Sequence, residues 1–156
     1  MTTLTLTFDA NVFFYAVDSR DREKHARCAA ILRAAIAQSV GFVTLQALGE
    51  FSHAVVRKAV LSRREAAQAA KDWATVFDAR SATPGAFDLA LDWWADERLS
   101  YWDALLVATA SKEGARACVS EDLRDGAVIG GVEIVSPFAA SADGRLAACG
   151  LDLQAS

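Results

Sequence analysis

Asp9, Asp103, Asp122 and Glu50 are the residues of this chain whose types and positions could do chemistry together. Asp9 follows the alternating run Leu4-Thr5-Leu6-Thr7-Phe8 and precedes Asn11-Val12-Phe13-Phe14, a change of period that puts it where a strand ends and a helix begins. Asp122 repeats the arrangement, because the apolar run Ala117-Cys118-Val119 closes on Ser120-Glu121-Asp122. Open parallel sheets bind ligands outside the carboxyl ends of their strands, so acids at such places are well sited. Each also has an ordinary structural reading: Asp9 as a turn residue with Asn11 as a helix cap, and Asp103 as the answering acid of a capping-box variant opened by Ser100. For Asp103 the two roles are compatible, since a helix N-terminus keeps a carboxylate ionised. Glu50, in the second turn of a helix, reads on its own as solvated surface. If the helices of Glu50 and Asp103 open on the edge that Asp9 and Asp122 occupy, four carboxylates share one pocket. Such crowding calls for a cation. All-oxygen donors select Mg²⁺ or Mn²⁺, and neither zinc-type cysteine spacing nor a convergent histidine pair accompanies them.

The elements that would position these acids alternate along the chain. Residues 22–38 carry Cys28, Ile31, Leu32, Ala35 and Ile36 at helical period. Residues 40–45 form a short buried strand with Thr44 near its junction to the next helix, 46–60, whose stripe is Ala47, Leu48, Phe51, Ala54 and Val55. A helix over 62–77 and a short edge strand within 79–83 follow. Thr83-Pro84 then starts a helix to about residue 98, expected to bury Phe87, Ala90, Leu91 and Trp94 and to expose Trp93. The helix opened by Ser100 reads ALLVATA and is apolar nearly all round, hence central. Residues 132–135 make a last strand. This alternation predicts an α/β fold in three layers, a mostly parallel central sheet flanked by helices. One domain spans 1–138, and 139–156 reads as a small, polar, loosely packed tail.

At 156 residues and 53% hydrophobic content, the chain can bury a substantial core. The net charge of −4 argues against a surface made for wrapping nucleic acid. It does not exclude a nucleic-acid enzyme, because four acids offset by divalent cations would leave the rest balanced. Arg57, Lys58, Arg63 and Arg64, with Lys71, form the densest basic group, either a solvated face or a phosphate-backbone patch. Cys28, Cys118 and Cys149 are odd in number, widely spaced and set among apolar residues, which fits buried, reduced thiols. With no secretory leader and no membrane span, a cytoplasmic protein is expected.

The segments FDANVFFYAVD, LQALGEF, SYWDALLVATA and VSEDLRDG, in this order and at these spacings, resemble the PIN-domain ribonucleases, and within them the VapC-type toxins of bacterial toxin–antitoxin pairs. The likeness runs over roughly residues 4–138. Carried over by position, it implies an acidic cluster of Asp9, Glu50, Asp103 and Asp122, with Asn11 and Ser120 beside them and Asp125 as a fifth acid at the rim; Glu121 reads as structural. It implies hydrolysis of RNA to 5′-phosphate ends with one or two Mg²⁺ or Mn²⁺ ions. Asp9 would be the central ligand, Asp103 and Asp122 would complete the set, and Glu50 would ligate or orient water. It further implies a small antitoxin partner and a homodimer, for which the apolar first helix, residues 12–17, and the stripe near Phe51 are candidate surfaces. Two other readings differ in class. An inactive PIN-like binding protein would not need all four acids, and an aspartyl-nucleophile phosphatase would need a second Asp where Asn11 stands.

Overall fold

The computed structural model describes residues 2–155. Its centre is a strand whose three residues are all buried, β1 (Leu6–Phe8). Leu6 and Phe8 point into one core and Thr7 to the opposite face, where its hydroxyl donates to the Phe42 carbonyl at 2.9 Å. β1 pairs in parallel with β4 (Ala117–Val119), which pairs in parallel with β6 (Val132–Val135); a two-residue strand, β5 (Val128–Ile129), adds antiparallel at the edge. On the other side, β2 (Phe42–Thr44) and the edge strand β3 (Asp78–Arg80) pair in parallel. Backbone bonds from Gly41 N to Thr3 O and from Thr3 N to Ser39 O lead β2 alongside β1. Gly41 is required there: at φ +97°, an added Cβ would stand 3.1 Å from the Phe8 ring and 3.3 Å from Leu6 O.

Helices cover both faces. α1 (Ala10–Val17), α2 (Arg22–Gln38), α3 (Leu45–Arg57) and α4 (Arg63–Val76) share one core with Leu6, Phe8, Val43, Ala117 and Val119. α5 (Pro84–Ala95) and α6 (Tyr101–Lys112) share the other with Phe42, Cys118, Val132 and Ile134. The three layers and mainly parallel sheet agree with the sequence reading, and the three cysteines are free and buried. Among the described residues no helix is long and apolar enough to cross a membrane.

Three expectations are corrected. The tryptophan assignment is reversed: Trp93 is 6% exposed and Trp94 52%. Two faces of α5 have identical i, i+4, i+7 spacing, Ala86-Ala90-Trp93 and Phe87-Leu91-Trp94. The first is buried because alanines let α5 approach α6 closely, and Trp93 then lies under the Gly130 turn, where a Cβ would come within 2.7 Å of its ring. Phe87 is left 47% exposed. Second, the tail is packed. α7 (Ala142–Ala148) and the residues after it bury Ala142, Leu146, Cys149 and Leu151 in the first core, and Arg27 pairs with Asp143 while donating to Pro137 O. Third, the surfaces nominated for partners are interior at Val12, Phe13, Phe14 and Phe51 and half-buried at Tyr15, Ala16 and Val17. Phe13, Phe51 and Trp73 stack on one another with centroids 4.8 to 6.4 Å apart, and Phe14 is buried beside them. The exposed large apolar side chains include Leu45, Phe87, Trp94 and Trp102.

Candidate active site

β1 and β4 end side by side, and their ends build the floor of the site. Asp9, the first residue past β1, caps α1: its Oδ1 accepts from Ala10 N at 2.8 Å. Its Oδ2 accepts from the Ser120 hydroxyl at 2.7 Å, directly past β4. The cap is therefore Asp9 and not Asn11, which stands inside α1, and the Asp9 carboxylate is fixed at both oxygens. Ser120 Oγ in turn accepts from Asp122 N and Leu123 N at 3.2 and 3.3 Å, so one buried hydroxyl holds the whole turn. Asn11 spans the same gap from α1: its Oδ1 accepts from Glu121 N at 3.2 Å and its Nδ2 donates to Asp122 Oδ2 at 3.2 Å. Both supporting residues thus touch the acids they were expected to support.

The walls come from helix starts. Thr44 caps α3 by accepting from Ala47 N at 3.1 Å, and Ser100 caps α6 by accepting from Asp103 N at 3.4 Å. Glu50 is held by Gln46, whose Nε2 donates to Glu50 Oε1 at 2.9 Å and to Trp102 O at 2.8 Å, joining α3 to the first turn of α6. A cleft of about 510 Å³ opens among Asn11, Tyr15, Glu50, Arg57, Lys58 and Asp122. Asp9 is buried next to the lining residues Ala10 and Asn11.

Electrostatics single out Asp9. It is 5% exposed, and burial pushes its carboxyl up from 3.8 to about 6. The bonds from Ser120 and Ala10 oppose that rise, while the charges of Glu50 and Asp103 add to it. The acids therefore share a neighbourhood without forming a closed ligand shell: among the described residues, no three His, Cys, Asp or Glu side chains stand close enough to hold an ion as a group. Asp125 is not part of the neighbourhood. Its Oδ1 accepts from Ser136 N and pairs with Arg145 at 3.0 Å, which also bonds Glu133, so Asp125 clamps α7 to β6 instead of standing at the rim. Glu121 pairs with Lys24, which also donates to Tyr15 OH, and it lines the cleft beside Asp122.

The basic group divides. Arg57 and Lys58 line the acid-bearing cleft, Arg63 lies in an adjoining groove with His53 and Arg57, and Arg64 is exposed and lines neither. Sequence reading missed Gln46 and Trp102. The Gln46–Glu50 spacing of i, i+4 was a usable signal for the first.

Comparison with known proteins agrees with this architecture. Two solved structures share the fold: VapC20 of Mycobacterium tuberculosis, described as a sarcin-ricin loop cleaving toxin, at 24% identity over 72% of this chain and 86% of that one with a TM-score of 0.60; and VapBC2 of Rickettsia felis bound to a DNA fragment from its promoter, at 10% identity over 83% and 96% with a TM-score of 0.61. No curated protein matches. The family described as PIN domain matches residues 6–125, a span that begins in β1 and closes just beyond the Ser120–Asp122 turn, and the chain belongs to that family.

Proposed function

We propose that this protein is a Mg²⁺- or Mn²⁺-dependent endoribonuclease that acts in the cytoplasm as the toxin of a toxin–antitoxin pair. The observation that carries this reading is Asp9, a buried carboxylate held at both oxygens where two parallel strands end, with the charges of Glu50 and Asp103 close enough to be felt. Keeping that carboxylate ionised costs about 3 kcal/mol on the scale of 1.36 kcal/mol per pKa unit. A hard cation would offset this cost.

The residues fit such an ion, since Ser120, which bonds Asp9, and Glu50 and Asp103, whose charges reach it, all offer oxygen. Asp9 would hold it directly, and Asp103, Asp122 and Glu50 would complete the shell directly or through water, which Mg²⁺ retains readily. When bound, the ion supplies Lewis acidity at the phosphate and neutralises the carboxylates around it. The remaining work falls to the chain. Ser120 fixes Asp9, and Asn11 fixes Asp122 relative to α1. Glu50, exposed on the cleft wall, takes the proton of the attacking water as general base. Arg57 and Lys58, on the same cleft, hold flanking phosphates. Water adds to phosphorus, the 3′-oxygen leaves and takes up a proton, and the product keeps a 5′-phosphate. The same reading includes a homodimer and a small antitoxin; the outer face of α5, with Phe87 and Trp94, is apolar surface such partners would cover.

The test is incubation of total cellular RNA with the purified chain in Mg²⁺ or Mn²⁺, beside EDTA and Asp9→Asn controls, followed by end-group analysis. Discrete metal-dependent cuts with 5′-phosphate ends, lost in Asp9→Asn, are expected. Folded, antitoxin-free protein that cuts nothing would favour a PIN-like binding protein instead, and cutting that survives both controls would remove the four-acid site from consideration.

A further inference from the structure

Beside the acid-bearing cleft lies a second groove, of about 520 Å³, lined by Leu45, Gln46, Gly49, Glu50, Trp102 and Leu105. Gly49 and Glu50 line both, so the two hollows are neighbours across one turn of α3. Their chemistry differs. The first holds acids, Asn11 and two cations; the second is apolar apart from Glu50 and the Gln46 amide. Trp102 is 60% exposed, one residue before Asp103, and its indole meets Tyr101 edge-on at 4.9 Å, leaving ring surface open to the groove. Gln46 bonds both the Trp102 backbone carbonyl and Glu50, so the helix start that bears the exposed ring is tied to a carboxylate of the site.

We propose that this groove is a nucleobase subsite, in which the base of a nucleotide flanking the cleaved phosphodiester stacks on Trp102 between Leu45 and Leu105. The inference rests on the ribonuclease reading for the orientation of the strand. An exposed indole beside a cleft that carries Arg57 and Lys58 suits any unpaired strand whose bases can leave their own stack. The occupant is single-stranded RNA: a phosphate in the cleft places the adjoining base next to Glu50, and the wall met there is apolar and aromatic. Gln46 is a positioning residue, tying the base-holding wall to the acid-bearing one. Selection of an unpaired nucleotide would then be built into the same two helix starts that carry Glu50 and Asp103.

The test uses the full chain in EDTA, with fluorescein-labelled unstructured RNA oligonucleotides read by anisotropy, and separately kcat and KM in Mg²⁺. Trp102→Ala should weaken binding about five- to 150-fold, the range one stacked base contributes, and should act mainly on KM. Trp102→Phe should restore most of the affinity. An abasic nucleotide beside the cleavage position should weaken binding to the native protein and not to Trp102→Ala. Unchanged KM and affinity in Trp102→Ala, or no rescue by Phe, overturns the subsite while the nuclease stands. Trp102-dependent stacking by a protein that cuts no RNA sinks the nuclease reading and keeps the subsite. If sedimentation finds that Trp102→Ala splits a dimer and binding falls only with that dissociation, a second copy of the chain occupies the groove and the proposal is wrong.

Discussion

Asp9 and Glu50 belong to one neighbourhood and are held in opposite ways. Asp9 sits at the end of a fully buried strand, with a backbone amide on one oxygen and the buried Ser120 hydroxyl on the other. Glu50 is exposed in the second turn of α3, and its bond in the fold is to Gln46 on the same helix. The first carboxylate is preorganised by the sheet. The second is set by side chains that can turn. A fold that fixes its floor and leaves its wall adjustable separates what must be constant, the place of the reacting phosphate, from what may vary, the strand that lies across it.

Replacing the fixed carboxylate should have the largest effect. In Asp9→Asn, RNA cleavage is expected to fall about 10²- to 10³-fold, as for loss of a group acting on developing charge. The variant should nevertheless be more stable than the native metal-free protein at pH 7.5, by about 1–2 kcal/mol in urea unfolding. Asn removes a buried charge worth about 3 kcal/mol, but with its one oxygen it cannot accept from Ala10 N and from the Ser120 hydroxyl on separate atoms, as the carboxylate does. A loss of stability would show that Asp9 is a helix cap before it is anything else.

The same buried charge sets the pH response. Asp9 is held near 6 in the fold against 3.8 when free, so between those values the folded chain binds more protons than the unfolded one. The contribution of Asp9 to stability is fully present below about 4, declines as pH rises, and is lost above about 6. Mg²⁺ must displace the proton, so its affinity for the metal-free protein, measured by calorimetry, should drop nearly tenfold per pH unit below 6 and level off above 7. The corresponding Glu50→Gln protein should keep that pH profile, since Glu50 contributes less to it than burial does. A profile flattened by Glu50→Gln would erase the contrast between floor and wall.

Ser120→Ala tests the floor without touching an acid. The buried Asp9 Oδ2 would lose its donor, and Asp122 N and Leu123 N would lose their acceptor. Supporting groups of this kind are worth about 10- to 100-fold in activity or metal affinity. Stability should fall by about 2 kcal/mol at pH 7.5 and by less at pH 5, where a protonated Asp9 needs the bond less. Equal losses at both values would assign Ser120 to the turn alone.

How far the sequence was legible follows the same division. Strand-end acids, caps and the buried strands are local patterns, so Asp9, Asp103, Asp122 and the parallel sheet could be read from residue order. Glu50 could not, because an acid on a helix carries no local mark and only the likeness of LQALGEF to other chains raised it. The failures have tertiary causes. Trp93 and Trp94 lie on faces of equal periodicity, and only the approach of α5 to α6 chooses between them. Asp125 stands in the motif VSEDLRDG, yet Arg145, twenty residues on, takes it. That arginine belongs to a segment read as loose because Gly144 and scattered alanines hide the Ala142-Leu146-Cys149 spacing of i, i+4, i+7. The stripe near Phe51 is buried as its period implies, but that α4 is what covers it, through Trp73, could not be read, because α4 is recognisable only as another amphipathic helix.

The smallest expected effect lies on the wall. Gln46→Leu removes the amide that joins Glu50 to the Trp102 carbonyl and keeps the side chain's bulk at the edge of an apolar groove. Both lost bonds are exposed and involve groups that water can satisfy, so stability should change by less than about 1 kcal/mol. Freed, Glu50 can sample other rotamers, and a general base out of place part of the time lowers kcat in proportion; a two- to fivefold fall, roughly 0.4–1 kcal/mol on the transition-state scale, is expected. Gln46→Glu should be worse, because a second carboxylate one turn from Glu50 repels it and adds to the charge around Asp9. Should Gln46→Leu cost as much as Ser120→Ala, the wall is as preorganised as the floor, and the choice of RNA must be made further out, at Arg57, Arg63 and the grooves they line.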